Sequence, residues 1–158
     1  RKPIQFNLTI SNFTPKPHTP FQWHSVATAE FERKQKLLRQ EFRRLRGIKV
    51  NYTDVRLSAM EDFIGRGDRS LGKVLLRAWQ LGAGMDSWYE SVERAFGAWS
   101  QAITEANLSW KYRQVENGEW NVMECQNSDT LLSVAFPWDH IDTGIDKKWL
   151  VEDLQRAM

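Results

Sequence analysis

Pro15, Pro17 and Pro20 fall within six consecutive residues, directly after a segment that alternates apolar and polar side chains. Proline has no backbone N–H, fixes φ, and pushes the residue before it toward extended geometry. No helix can run through Ser11–Ser25, so the sequence predicts a stiff, extended loop there. That loop carries Lys16, His18, Phe21, Gln22 and Trp23. The alternating segment before it, Ile4–Ile10, reads as a strand with Ile4, Phe6, Leu8 and Ile10 on one face. A strand needs neighbours, and few strong candidates follow. The chain also opens on Arg1-Lys2-Pro3 without an initiator methionine. Both features lead us to expect a piece of a longer protein, cut from a larger sheet.

Beyond the loop the periodicity turns helical. Thr28–Arg46 reads as one long helix, with Phe31, Leu38, Phe42 and Leu45 on a single face and Gly47 as its stop. Ile48–Tyr52 alternates again and predicts a second strand. Strand, helix and strand in this order form the unit that builds parallel sheets. Capping-box patterns predict helix starts at Ser58–Glu61 and at Ser87–Glu90. Asp68 and Asp146 read as caps of two further helices, and Leu131–Phe136 reads as a strand. The stretch from Asn107 to Asp129 is polar and mixed, and predicts loops with short strands. The expected fold class is α+β, mostly helical, with a short parallel β element. Residues 1–54 should form the strand–loop–helix–strand part and 55–158 a helical extension, in one compact unit.

Composition narrows the function classes. At 158 residues the chain fits one domain, and such a chain buries roughly two thirds of its unfolded surface. Eight tryptophans, each carrying an N–H that wants a partner, should sit at core edges or line a groove. The net charge of +2 excludes a polyelectrolyte, yet Glu30–Lys49 sets eight cations against three carboxylates. That basic helix offers a contact for nucleic acid or an acidic partner; its alternative is a solvated face balanced by Glu30 and Glu32. No apolar run is long enough to predict a membrane span. The single cysteine, Cys125, excludes an internal disulfide framework and fits a reducing, cytoplasmic compartment. One thiol also cannot hold an iron–sulfur cluster.

Three short segments carry chemistry-bearing residues. The proline-rich loop follows a strand end, where open parallel sheets and barrels place ligand contacts; otherwise it is a rigid connector with packed aromatics. Gly65-Arg66-Gly67-Asp68-Arg69-Ser70 leads into a helix start. Arg66 and Arg69 there could hold a phosphate or carboxylate, or pair with neighbouring carboxylates around a helix–helix turn. Pro137-Trp138-Asp139-His140-Ile141-Asp142 brings two carboxylates and an imidazole into one loop. Acid–base work is open to that set, as is simple loop capping. A metal site lacks a second histidine at ligand spacing, and a hydrolase lacks a nucleophile.

Taken together, the motifs have a family likeness. The segment from Ser11 to Trp23 resembles the final barrel-strand segment of radical-SAM Fe-S oxidoreductases of the cobalamin-binding type. Arg66-Gly67-Asp68-Arg69 and Pro137–Gly144 resemble motifs downstream of it in one branch of that group. In that branch a second arginine usually stands where this chain has Ser70. The resemblance covers nearly the whole chain. It implies a full-length protein with a [4Fe-4S] cluster, S-adenosylmethionine chemistry and an upstream cobalamin-binding region. The cluster motif Cys-x-x-x-Cys-x-x-Cys is absent here and would lie upstream. This chain would then be the C-terminal, substrate-side domain, without cofactor of its own and not catalytic alone. Its partners would be the rest of its own polypeptide and a substrate that the sequence does not name. Lys16, His18, Phe21, Trp23, Arg66, Arg69, Trp138, Asp139, His140 and Asp142 are the candidate substrate-binding residues. The rival reading is a module that binds nucleic acid or protein through helix 28–46.

Overall fold

The computed structural model describes residues 4–112 and 128–158. Strands β1 (Phe6–Ile10) and β2 (Ile48–Tyr52) pair in parallel, from Phe6 opposite Ile48 to Ile10 opposite Tyr52. Helix α1 (Thr28–Phe42) crosses over between them, as parallel pairing requires. Residues paired in register point the same way. Leu8, Ile10, Ile48, Val50 and Tyr52 are therefore half-buried on one face, while Asn7, Thr9, Lys49 and Asn51 stand exposed on the other. The fold is mixed α and β, about half helical, with this two-stranded parallel sheet.

Phe31, Leu38 and Phe42 lie on the half-buried stripe of α1, as their spacing predicts. The helix nevertheless stops at Phe42 and not at Arg46. The chain must turn back into β2, and Gly47 does this at φ 77°, its carbonyl accepting the Phe6 N–H at 2.8 Å. A side chain at Gly47 would be strained by that φ and would meet the Ile4 carbonyl. Leu45 consequently leaves the apolar face and is 51% exposed.

The middle of the α1 stripe is a buried glutamine. Gln35 Nε2 donates to Asn12 Oδ1 (2.9 Å) and to the Thr53 carbonyl (2.8 Å). Asn12 Nδ2 donates to Ser58 Oγ at 2.9 Å, and the Thr53 N–H donates to the Ile10 carbonyl at 3.0 Å. One polar knot thus ties the ends of both strands to α1 and to α2 (Val55–Arg66).

Two helix starts differ from the capping-box expectation. Asp54 caps α2 by accepting the Arg56 N–H, so Ser58 lies inside the helix, where its hydroxyl serves Asn12. Ser87–Glu90 forms a turn, and α4 (Val92–Glu105) begins after Ser91 without a side-chain cap. There Asp86 accepts from the Gly84 N–H and from Trp99 Nε1, which holds the segment in a loop. Asp68 does cap, but its helix opens with a short 3-10 turn, Arg69–Leu71, before α3 (Gly72–Gln80).

Leu131–Phe136 is not a strand. Helix α5 (Ser128–Ser133) places Leu131 in the interior, where its carbonyl accepts the Trp23 indole N–H at 2.9 Å. Helix α6 (Lys147–Ala157) starts at the expected cap, Asp146. Residues 113–127 lie outside the described residues, so the mixed segment read between Asn107 and Asp129, with Cys125, falls mostly there.

Among the described residues two apolar clusters result. Met60, Phe63, Val74, Ala95, Trp99 and Ile103 anchor the first, which joins α2, α3 and α4. The second unites Trp23 from the proline loop with Leu131, Leu150, Val151 and Leu154. Among the described residues, no helix is long and apolar enough to cross a membrane.

Replacing Gln35 with alanine removes the donor to Asn12 Oδ1 and leaves a half-satisfied buried knot. We expect unfolding in urea to lose about 2 kcal/mol. A loss within measurement error would show that the knot is not needed.

Candidate functional site

The proline loop and the C-terminal loop meet at Gln22, which is 3% exposed. Its Oε1 accepts two hydrogen bonds, from the His18 N–H at 3.1 Å and from Trp138 Nε1 at 2.9 Å. His18 adopts a positive φ of 55° to aim that N–H back at Gln22. Trp138 stacks on Phe136 (ring centroids 4.7 Å apart), and Phe136 meets Trp23 edge-on at 5.8 Å. The ammonium of Lys147 lies over the Phe136 ring and donates to Asp139 Oδ2 at 2.9 Å. Residues far apart in sequence thereby form one aromatic layer.

Beside this layer lies a shallow cleft of about 840 Å³. Its walls are Gly67–Ser70, from the turn after α2, and Pro137, Trp138, His140 and Ile141 from the C-terminal loop. Two segments with chemistry-bearing residues thus face each other across one space.

The cleft takes only part of the candidate set. Arg69, Trp138 and His140 line it. Arg66 does not: its guanidinium donates from Nε to both oxygens of Asp62 at 3.0 Å, and both side chains are more than 90% buried. Trp23 is fully buried in the second cluster. Phe21 packs edge-on against Phe13 at 5.2 Å. Lys16 pairs with Glu61 on the surface. Asp139 accepts the Phe136 N–H and Asp142 the Gly144 N–H, so both carboxylates brace their own loop. His140 Nδ1 lies 2.9 Å from the Pro137 carbonyl. A carbonyl only accepts, so Nδ1 carries the proton and Nε2 is the uncommitted nitrogen.

Gln22 and Asn12 were visible only as polar passengers of the proline segment. One sequence signal could have found Gln22: a glutamine between two aromatics, Phe21 and Trp23, in a stretch that must bury both.

The basic helix is partly self-neutralised. Glu30 holds Arg33 at 2.7 Å and Lys34 at 3.5 Å, and Glu41 holds Arg44 at 3.3 Å. Hydrogen bonds from Arg33 hold the Glu30 carboxyl down at about 2. Arg39 lies over the Tyr52 ring at 4.4 Å. A second cleft, of about 800 Å³, opens between the start of α1, α2 and the stacked pair Phe96–Trp110.

No family model, curated protein or solved structure matches this chain.

Two measurements test this geometry. Trp138→Phe keeps an aromatic ring but removes the donor to Gln22 and part of the buried indole, and should cost about 1–3 kcal/mol of stability. No change would mean that water replaces the indole N–H. The second concerns Asp54, whose pKa is lowered chiefly by hydrogen bonds from Arg56. A carboxyl lowered in the folded state stabilises the fold above its unfolded pKa, about 3.9, and that contribution is lost as pH falls through the folded value. Arg56→Gln should therefore be less stable than the parent at neutral pH, and the gap should close on acidification below about pH 4. A gap independent of pH would assign the Arg56 effect to packing alone.

Proposed function

We propose that this chain is the C-terminal, substrate-side domain of a radical-SAM Fe-S oxidoreductase, closing a barrel whose other strands belong to the same polypeptide. One observation carries the reading: the bare polar face of a parallel strand pair. Parallel sheets are found buried on both faces, and two strands alone are marginal in water. Here α1 covers one face, and Asn7, Thr9, Lys49 and Asn51 leave the other polar and open. Among the described residues β1 and β2 pair only with each other, so there each has an outer edge of unpaired backbone groups. Further parallel strands would satisfy those edges and enclose the polar face.

The segments that follow the strands also support this reading. In parallel barrels and open sheets, ligands gather at the C-terminal strand ends. The proline loop follows β1, and α2 follows β2. Both start from the Asn12–Gln35–Thr53 knot, which fixes their directions. The proline loop in turn seats Trp138 through Gln22, and the turn after α2 supplies the opposite wall of the cleft. In this role the chain orients and encloses a substrate.

The residues of this chain do not fit the iron–sulfur cluster itself. Its single thiol, Cys125, cannot supply the three cysteines that the cluster motif calls for. The cluster, S-adenosylmethionine and cobalamin would be held by the upstream part, which would supply the radical chemistry.

The test uses the full-length polypeptide, purified anaerobically. We expect a Cys-x-x-x-Cys-x-x-Cys motif encoded upstream of Arg1, about four irons per chain, and 5′-deoxyadenosine released from S-adenosylmethionine. Residues 1–158 alone should stay iron-free under the same reconstitution. A full-length protein without the motif and without iron would overturn the reading.

A further inference from the structure

Among the described residues, the cleft between the turn after α2 and the C-terminal loop sets an unpartnered cation beside carboxylates that are already hydrogen-bonded. Three charged or titratable residues line it: Asp68, Arg69 and His140. The Asp68 carboxylate is committed, since Oδ1 accepts from both the N–H and the hydroxyl of Ser70, at 2.8 and 2.5 Å. The two carboxylates of the adjoining loop are also committed, Asp139 to Lys147 and the Phe136 N–H, and Asp142 to the Gly144 N–H. Arg66, the nearest other cation in sequence, is spent on Asp62. Arg69 has no hydrogen-bond or ion-pair partner among the described residues, and its side chain is exposed. His140 donates from Nδ1–H to the Pro137 carbonyl, so Nε2 of the neutral ring is an acceptor and the donor to an anion in this cleft is Arg69. Each of these carboxylates is satisfied, while the Arg69 fork has no partner among the described residues.

We propose that this cleft binds an anionic oxygen group, a carboxylate or a phosphate, held by the Arg69 guanidinium with the His140 ring and the Trp138 edge beside it. The inference deepens the substrate-side reading above and rests on it for the claim that the ligand is substrate. Arginine presents parallel N–H donors that match two oxygens of a carboxylate or phosphate, and it stays charged at any working pH. Trp138 is fixed by its bond to Gln22 and its stack on Phe136, so the wall opposite Arg69 is preorganised. Pro137 and Ile141 add apolar surface beside it. The expected ligand is therefore an anion attached to an apolar body, its charged end at Arg69.

The test is made on this chain by NMR, following the His140 ring and Trp138 indole resonances. Inorganic phosphate is titrated in one arm and acetate in the other, at constant ionic strength with chloride as the balancing ion. Saturable shifts of both residues are expected in at least one arm, and the tighter arm tells phosphate from carboxylate. Arg69→Gln should weaken that binding about tenfold or more, as loss of a charge-assisted hydrogen bond implies. Lys148→Gln removes the same charge on α6, outside the cleft, and should leave affinity within about twofold. Absence of saturation in both arms, or equal loss in the two variants, overturns the proposal. Folding of each variant is checked by the unchanged remainder of the spectrum. If Arg69→Gln fails to fold, Arg69→Lys, which keeps the charge and loses the fork, must weaken binding or the proposal falls. Iron content and 5′-deoxyadenosine release do not enter this result, so anion binding and the radical-SAM reading can fail separately.

Discussion

The amide of Gln35, the buried residue of α1, ties this helix to the ends of both strands. It occupies the centre of the helix face that meets the sheet, where an aliphatic residue would be the ordinary choice. A buried amide costs free energy unless its donors and acceptors are used. Here Nε2 reaches both the Asn12 side chain and the Thr53 carbonyl, and Oε1 accepts from Arg39 at 3.3 Å. Asn12 and Thr53 are the points at which the chain leaves β1 and β2. The knot therefore sets the exit directions of both strands, and everything downstream inherits them. An apolar contact would have bound the helix to the sheet without specifying those directions, because it has no preferred orientation.

The second dependence runs through Gln22. The C-terminal segment meets the N-terminal part through Trp23 and Gln22, which lie not in an extended stretch but in the consecutive turns around Pro17 and Pro20, where the Gln22 N–H donates to the Thr19 carbonyl and the His24 N–H to the Phe21 carbonyl. Trp23 supplies buried area and one hydrogen bond, to the Leu131 carbonyl. Gln22 supplies orientation, since one acceptor oxygen shared by His18 and Trp138 fixes two loops at once. The stiffness of the proline segment is what makes such a junction affordable: little further entropy is lost when the C-terminal loop docks.

The β–α–β unit was legible because its signals are local and repeated. Alternation in Phe6–Ile10 and Ile48–Tyr52 and helical spacing in α1 agree with the crossover rule, and the parallel register follows. Asp68 and Asp146 were legible as caps because an Asx side chain reaches its own backbone two residues on. Ser58 and Ser87 carried the same kind of signal and failed, because a tertiary or nearby partner claimed the region first: Asn12 for Ser58, the Asp86 loop for Ser87. Leu131–Phe136 looked strand-like by composition alone, but Leu131 is buried with Trp23 and the leucines of α6 while Leu132 packs half-buried beside them, and that packing decides. Long-range amide bonds such as Gln35–Asn12 and Gln22–Trp138 leave no periodic trace, so no window along the sequence could have shown them.

The two arginines of the turn after α2 show how much a site depends on such contacts. In the sequence Arg66 and Arg69 are equivalent neighbours of Asp68, three residues apart. On the helix, Arg66 lies one turn beyond Asp62, and the pair closes at 3.0 Å out of water. Removing either partner would leave a buried charge uncompensated, so Arg66 is structural in the strict sense that its charge is already answered. Arg69 begins the 3-10 turn, where Asp68 is occupied with Ser70 and no carboxylate among the described residues answers the guanidinium. Burial and pairing thus sort two identical side chains into a bolt and a free donor. The free donor sits on a wall whose opposite side is fixed by Trp138, and that wall is held through Gln22 to the loop that leaves the sheet. The anion site we propose in the cleft would in this way rest on the same two glutamines that orient the loops.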